Sequence, residues 1–238
     1  MRYISNKILI SLACSLFFVY YVLSNFKPFL YINIIAGVNF NGYVLYYAAS
    51  LFLLGIVVLN SFGNTEKYIK GYGILELIRN KKRDSIIKKV VVTEMLNVFV
   101  ITCFIVISYV MVAYCVFYKR EKIIISDYMM KVLLFYLVSL SLVLWQALFE
   151  IIFDSRGAIF ITLSLICIHI SAGDIVMLYK KSHKLFYLFY TNFAFAKRNE
   201  EIHIRDIHML LAVLIICIIQ MILMKMAFLK KDIFSVKE

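Results

Sequence analysis

Apolar runs of membrane-spanning length, separated by short polar segments, dominate the pattern of this chain. A transmembrane helix needs about 20 apolar residues to cross the hydrocarbon core, and roughly 17 are tolerated. Six runs reach that length, at residues 8–24, 43–61, 90–118, 132–153, 158–179 and 208–228. The pattern therefore predicts an all-α fold, with one transmembrane domain covering residues 1–238 and six spanning helices.

Two further apolar runs, residues 29–38 and 185–196, are too short to span. Runs of this kind suit a helix at the membrane interface or a re-entrant segment, and they suit a partly buried loop equally well. Periodicity does not separate these structures over so few residues. Both alternatives stay open for each run.

The composition excludes an ordinary soluble domain. Apolar residues make up 63% of the chain and charged residues 17%, whereas globular domains are about half apolar and a quarter charged. The mean hydropathy is +0.89. The cysteines are widely spaced, odd in number and all within apolar runs, which matches neither a disulfide framework nor a metal site. We expect neither a metal nor another cofactor.

The chain carries a formal net charge of +12 at pH 7. Its basic residues flank the apolar runs and do not form one patch with aromatic residues, which favours contacts with anionic membrane lipids over nucleic-acid binding. Lys and Arg concentrate on the cytoplasmic side of membrane proteins. The densest basic cluster lies in residues 79–89, between the second and third runs. We therefore predict that this segment and both termini are cytoplasmic.

The polar segment at residues 63–89 contains a candidate interaction helix. On a helix, Ile74, Leu77 and Ile78 share one face, while Glu76, Arg79 and Arg83 line another. One interpretation is a basic loop that holds the orientation of the protein and touches anionic lipid. The other is a short amphipathic helix in the cytoplasm that docks on a partner protein.

The layout resembles that of the permease subunit of type-2 ABC exporters. The shared features are six spans, a cytoplasmic helix between spans two and three, a tight inside turn at residues 154–157 and a longer outer segment before span six. In that family the cytoplasmic helix docks on the ATPase subunit. The resemblance implies this docking role for Ile74, Glu76, Leu77, Ile78 and Arg79. The outer segment at residues 180–207 departs from the family, because it does not show two evident short helices.

The resemblance also implies a function and partners. The chain would be a permease subunit in a bacterial cytoplasmic membrane, exporting a peptide, a lipid or another amphipathic compound. It has no glycine-rich phosphate loop ending in Gly-Lys-Ser or Gly-Lys-Thr, so a separate ABC ATPase subunit would have to supply the energy. A second permease chain, identical or related, would complete the transport path.

Five polar residues inside the predicted spans are candidates for a functional role: Asn97, Gln146, Glu150, His169 and Gln220. Polar residues at membrane depth usually face a bundle interior or a cavity. They either line a path or bond neighbouring helices. Gln146 and Glu150 are four residues apart and therefore share a helix face near the inner end of span four. We expect Glu150 to pair with Arg156 or with the basic segment.

Two other functions compete with transport. A stand-alone membrane immunity or sensor protein would have the same hydropathy and would not need an ATPase. An intramembrane metalloprotease is suggested by Glu200, Glu201 and Arg205, which match the first motif of the CAAX-processing family. The later histidine motifs are absent, and His203 and His208 are spaced five apart, which suits joint metal binding on a helix poorly. Because no Gly-x-Ser-x-Gly elbow occurs either, we expect no enzymatic activity.

Overall fold

The computed structural model describes residues 44–73, 83–117, 125–179 and 183–230, together with the single residue Ala13. Within these ranges the chain is helical and contains no strand. The α-helices are α1 (Val44–Ser61), α2 (Asn64–Tyr68), α3 (Arg83–Phe117), α4 (Ile125–Ile152), α5 (Ser155–Leu178), α6 (Ala196–Ile202) and α7 (Asp206–Lys230). A π-helical turn, Ile69–Gly73, follows α2, and two 3₁₀ helices, His183–Tyr187 and Tyr190–Ala194, precede α6.

Four helices in the described ranges are long and apolar enough to cross a membrane. These candidate spans are Ser85–Ser108 in α3, Tyr128–Ile152 in α4, Ser155–Leu178 as α5 and Asp206–Lys230 as α7. They coincide with the predicted third to sixth spans, and α1 occupies the predicted second. The predicted first span lies outside the described residues. The chain is thus a multi-pass helical membrane protein, while the count of six spans stays a prediction.

Helix α4 occupies the centre of the bundle, packed against α1, α3, α5 and α7. Its span is 72% buried, compared with 39% for the α3 span and 28% for each of the α5 and α7 spans. The sequence explains this position, because α4 is apolar on all sides between Val132 and Phe149, and such helices are buried. Two fully buried serines, Ser139 and Ser141, let neighbouring helices approach closely.

Helices α5 and α7 each bury one stripe of side chains. The buried residues of α7 recur every three or four positions, which is one face of a helix. They are Met209, Val213, Cys217, Gln220, Met224 and Phe228. The opposite face of α7 exposes large apolar side chains, among them Ile215, Ile219 and Ile222. An apolar outer surface of this kind suits contact with lipid.

Two helices extend further than the apolar runs. Helix α3 begins at Arg83, seven residues before the predicted span, because Ile86, Ile87 and Val90 form a buried stripe that continues the helix through the basic residues. Residues 83–89 therefore belong to α3 and not to the predicted polar segment. Helix α4 begins at Ile125 in place of residue 132.

The segment before α7 is folded and packed into the bundle. The expectation that residues 180–207 lack evident short helices was wrong, since two 3₁₀ helices and α6 occupy residues 183–202. Phe186, Phe193 and Phe195 are fully buried there. The short apolar run 185–196 is thus an integral part of the core. The other short run, residues 29–38, lies outside the described residues.

Candidate functional site

One end of the bundle holds a network that we call the carboxylate link, made by the side chains of Glu66 and Glu150. Glu150, in the last turn of α4, is 2% exposed. Its Oε1 accepts the backbone N–H of Gly63 at 2.7 Å, and its Oε2 accepts that of Glu66 at 3.1 Å. Gln146, one turn earlier on the same face, donates Nε2 to Oε1 at 3.2 Å. The α4 carboxylate therefore binds the first turn of α2.

Glu66 makes the reciprocal contact. Its Oε2 accepts the backbone N–H of Ser155, the first residue of α5, at 2.9 Å, and its Oε1 binds Nζ of Lys70. Burial raises the pKa of Glu66, but the hydrogen bonds from Lys70 and Ser155 outweigh it, so that the pKa lies below its usual value. Glu66 is therefore ionised at neutral pH. A carboxylate next to a helix N-terminus also interacts favourably with the helix dipole.

The local backbone makes these contacts possible. Gly63, between α1 and α2, has φ +70°, a left-handed conformation that glycine adopts without steric cost. This conformation changes the direction of the chain between α1 and α2 and points the N–H of Gly63 towards Glu150. On the other side, the turn between α4 and α5 is only two residues long, and Asp154 caps α5 by accepting the N–H of Gly157 at 2.8 Å. A tight turn was predicted at residues 154–157; the structure has it at residues 153–154, and residues 155–157 already form the first turn of α5.

Of the two expected partners of Glu150, the polar segment 63–89 is confirmed and Arg156 was wrong. The contacts come from the backbone N–H groups of residues 63 and 66, and Arg156 lies exposed in the first turn of α5. Backbone N–H groups are preferred over the Arg156 side chain as donors, because the buried carboxylate needs hydrogen bonds from groups that are already inside the bundle. Gln146 and Glu150 do share one face, as predicted. The predicted docking residues, Ile74 to Arg79, lie outside the described residues.

A second polar network, the Arg198 cluster, lies at the other end of α5 and consists of Arg198, Asp174 and Asn192. Arg198 of α6 is 0% exposed. Its Nη2 lies 3.0 Å from Oδ1 of Asp174 on α5, and its Nη1 binds Oδ1 of Asn192. The ring of Phe195 lies 5.9 Å from the guanidinium carbon, within cation–π range. These bonds hold the charge of Arg198 inside the protein.

Asn192 extends this cluster to the backbone of α5 and of the turn between the two 3₁₀ helices. Its Nδ2 donates to the carbonyl of His169 on α5 at 2.9 Å and to that of Phe189 at 2.7 Å. The close approach depends on Gly173, since a Cβ there would lie 2.6 Å from both Nδ2 and Oδ1 of Asn192. The segment before α7 is thus tied to α5.

A third group of polar side chains joins three elements halfway along α4. Ser141 Oγ lies 2.9 Å from Tyr190 Oη and accepts Nε2 of Gln220 at 2.8 Å. Tyr190 belongs to the second 3₁₀ helix and Gln220 to α7. The hydroxyl of Tyr190 therefore reaches the middle of α4, which favours the re-entrant interpretation of the run 185–196.

The five predicted intramembrane polar residues have different surroundings. Gln146, Glu150 and Gln220 are buried and bonded as described, whereas Asn97 is half-buried on α3. The His169 ring on α5 is half-buried and packs edge-on against Phe189 and Tyr190. His169 and Gln220 thus meet at the second 3₁₀ helix, while Gln146 and Glu150 lie at the carboxylate link.

Sequence reasoning missed the residues that complete these networks. Asp174 was detectable, because it is an acidic residue inside the predicted fifth span, where charge is costly and needs a partner. Arg198 gave a weaker signal, as a basic residue directly after the apolar run 185–196. Glu66 gave none, because carboxylates are common in polar segments.

In the described ranges, no group of three or more His, Cys, Asp or Glu residues is placed to hold a metal ion. Glu200, part of the protease-like motif, has Oε1 3.1 Å from Nζ of Lys131, near the start of the α4 span. The arrangement ties α6 to α4 and offers a structural role for this carboxylate.

The comparison with protein families gives one match. Residues 8–234 match the family DUF2705, described as a protein of unknown function. The chain belongs to DUF2705. No curated protein and no solved structure matches the chain.

Proposed function

We propose that this DUF2705 chain is the permease subunit of an ABC exporter. It spans a bacterial cytoplasmic membrane six times, with both termini in the cytoplasm, and has no enzymatic activity of its own. A separate ABC ATPase subunit supplies the energy, and a second permease chain, identical or related, completes the path. The exported compound is a peptide, a lipid or another amphipathic molecule.

The fixed position of residues 63–73 is the observation that supports this proposal. A docking element has to transmit force, so it needs a rigid base. Glu150 and Glu66 bind these residues to the α4–α5 turn at three backbone positions. The candidate docking residues 74–79 follow Gly73 directly. They are therefore attached to a segment that is hydrogen-bonded to α4, the central helix of the bundle.

The layout of charge supports the same orientation. Exposed basic side chains lie at the carboxylate-link end of the bundle and near the N-terminus of α3. They are Lys67, Lys70 and Arg156 at the link and Lys88 and Lys89 on α3. Basic residues favour the cytoplasmic side and bind anionic lipid there. A cytoplasmic carboxylate link presents residues 74–79 to a soluble ATPase.

The test is retention of an ATPase subunit encoded beside this chain. Purification of the tagged chain in mild detergent should recover that ATPase, and Leu77→Asp should abolish recovery, because truncating a buried anchor typically costs about 2 kcal/mol or more, roughly thirtyfold in affinity. Lys81→Ala is the control, since an exposed basic residue contributes about 1 kcal/mol or less. Both variants should elute at the normal size.

Two results would refute the proposal, and a third would refute only the docking role. Absence of any ATPase gene near this one, with no ATPase recovered, favours a stand-alone membrane immunity or sensor protein. ATP hydrolysis by the purified chain alone would contradict the division of labour. Retention of the ATPase by Leu77→Asp would leave the segment 63–89 as a basic loop that touches lipid.

A further inference from the structure

We propose that Glu66 and Glu150 are positioning residues that make residues 63–73 and the α4–α5 turn move as one unit. Displacement of the docking residues would then reach α4 and α5 directly and not only through the chain connections to α1 and α3. This inference rests on the proposed function, since it assigns the carboxylate link a part in the response to the ATPase.

The geometry of the link is reciprocal. A carboxylate of α4 binds the first turn of α2, and a carboxylate of α2 binds the first residue of α5. The bonded groups are 84 to 89 residues apart in the chain, so the contacts join segments that sequence proximity does not hold together. Each carboxylate thus joins α2 to a different helix of the pair, Glu150 to α4 and Glu66 to α5.

The chemistry of the link makes it stiff. All three donors are backbone N–H groups, which move only with the main chain. Glu66 is ionised, and hydrogen bonds to an ionised acceptor are about twice as strong as bonds between neutral groups. Glu150 is 2% exposed, so water does not compete for its oxygens. Its side chain is also held by Gln146.

The link ends on the helix with the most neighbours. Helix α4 packs against α1, α3, α5 and α7, and its Ser141 contacts Tyr190 and Gln220 halfway along the bundle. Movement of the α4–α5 turn would therefore reach the buried segment before α7. Coupling requires that two distant sites bias the same element, and this is what the experiment has to measure.

The first arm measures backbone hydrogen exchange in the purified chain. Glu150→Gln keeps the shape of the side chain, but its neutral amide turns a donor towards a backbone N–H. Exchange at Gly63 and Glu66 should become about tenfold to a hundredfold faster, as expected when a buried donor loses its acceptor. Glu66→Gln should do the same at Ser155. Lys88→Gln is the control, since Lys88 is an exposed basic residue on α3 that makes no contact with either carboxylate. Wild-type exchange rates in both Gln variants would overturn the proposal.

The second arm measures distances in the complex with the ATPase. Spin labels are placed in a cysteine-free background at Lys67→Cys with Arg156→Cys, across the link, and at Arg156→Cys with His203→Cys, along the bundle. In the otherwise unchanged protein, Mg-ATP with vanadate should shift the second distance and leave the first constant. In Glu66→Gln and Glu150→Gln the ATPase should remain bound, the first distance should broaden and the shift of the second should disappear.

The outcomes separate the two proposals. Variants that keep both the ATPase and the normal nucleotide-dependent shift would overturn the positioning role, while the permease function would stand. If the unaltered chain retains no ATPase, the proposed function fails, and the positioning role fails with it. If Glu150→Gln does not elute at the normal size, Glu66→Gln decides alone, because Glu66 is only half-buried.

Discussion

Arg198 and Asp174 form an ion pair, with Nη2 and Oδ1 3.0 Å apart, in which the arginine side chain has no exposure and the aspartate is 17% exposed. The pair joins α6 to α5 at the end of the bundle opposite the carboxylate link. A buried pair of this kind contributes little over an apolar replacement, but the loss of one partner is costly. The arginine therefore makes the local fold dependent on its acceptors.

The first prediction concerns loss of the acceptor. Asp174→Ala should lower stability by about 3 kcal/mol, because it leaves the Arg198 charge buried without its carboxylate. The double variant with Arg198→Met should be less destabilised than Asp174→Ala alone, since the uncompensated charge is gone. Thermal unfolding followed by size-exclusion chromatography in detergent measures both. Lys197→Met, a half-exposed neighbour of Arg198, is the control and should change the midpoint little. An equal loss in the single and double variants would contradict the ion-pair account.

The second prediction concerns the close approach of Gly173 to Asn192. Gly173→Ala should lower stability by about 1–3 kcal/mol, because the added Cβ would lie 2.6 Å from an amide that is held by several hydrogen bonds. Gly55→Ala in α1 is the matched control, since the nearest atom, Cδ2 of Leu163, is 4.0 Å away. Alanine is the better helix former, so this control should be neutral or stabilising. The same midpoint shift in both variants would refute the packing argument.

The third prediction concerns the left-handed conformation of Gly63. Space is not limiting there, because an added Cβ would lie 3.8 Å from Cβ of Ser155. The cost of Gly63→Ala is therefore backbone strain, about 1–2 kcal/mol. Gly63→Asn should lose less, since asparagine tolerates this conformation better. The N–H bonded to Glu150 is present in all three proteins, so thermal midpoints should order as Gly, Asn, Ala. A midpoint for Gly63→Ala equal to that of the unaltered protein would show that this turn is not strained.

Much of the helical fold followed from apolar run length. The predicted second, fourth, fifth and sixth spans match α1, α4, α5 and α7 to within a few residues, except at the start of α4. Run length fails where helices continue through polar residues, as at Arg83 to Lys89, because buried side chains every three or four positions sustain the helix. It also fails for the segment before α7, whose 3₁₀ helices are stabilised by tertiary contacts of Asn192 and Tyr190.

The candidate site was predicted only in part. The spacing of Gln146 and Glu150 correctly placed both on one face, because helical periodicity is local information. The partners of Glu150 were not predictable in the same way, since they are backbone groups more than 80 residues distant in the chain. The opposite charge of Arg156 suggested it as a partner for Glu150. Because Glu150 is buried, its hydrogen bonds come from nearby backbone N–H groups. Backbone N–H groups leave no pattern in a sequence.

The fourth prediction concerns orientation. Helix α5 separates the two polar networks, because the helix rises about 29 Å from Ser155, next to the α4–α5 turn, to Asp174 in the Arg198 cluster. Arg156 in the first turn of α5 and His203 at the end of α6 are both exposed, so a cysteine at either position is accessible to a reagent. Asn199 would be a poor choice, since it is 6% exposed and its Nδ2 binds the carbonyl of Phe193.

In a background without cysteine, a membrane-impermeant maleimide should label His203→Cys in right-side-out vesicles and Arg156→Cys only in inside-out vesicles. The physical reason is the concentration of basic residues at the carboxylate-link end, which favours the cytoplasmic side. Labelling of each variant after detergent solubilisation is the control for accessibility. Labelling of both cysteines from the same side would mean that α5 does not cross the membrane. The reverse sidedness would place residues 74–79 outside the cell, where no ATPase could bind them, and would exclude the permease proposal together with the role of Glu66 and Glu150 in coupling.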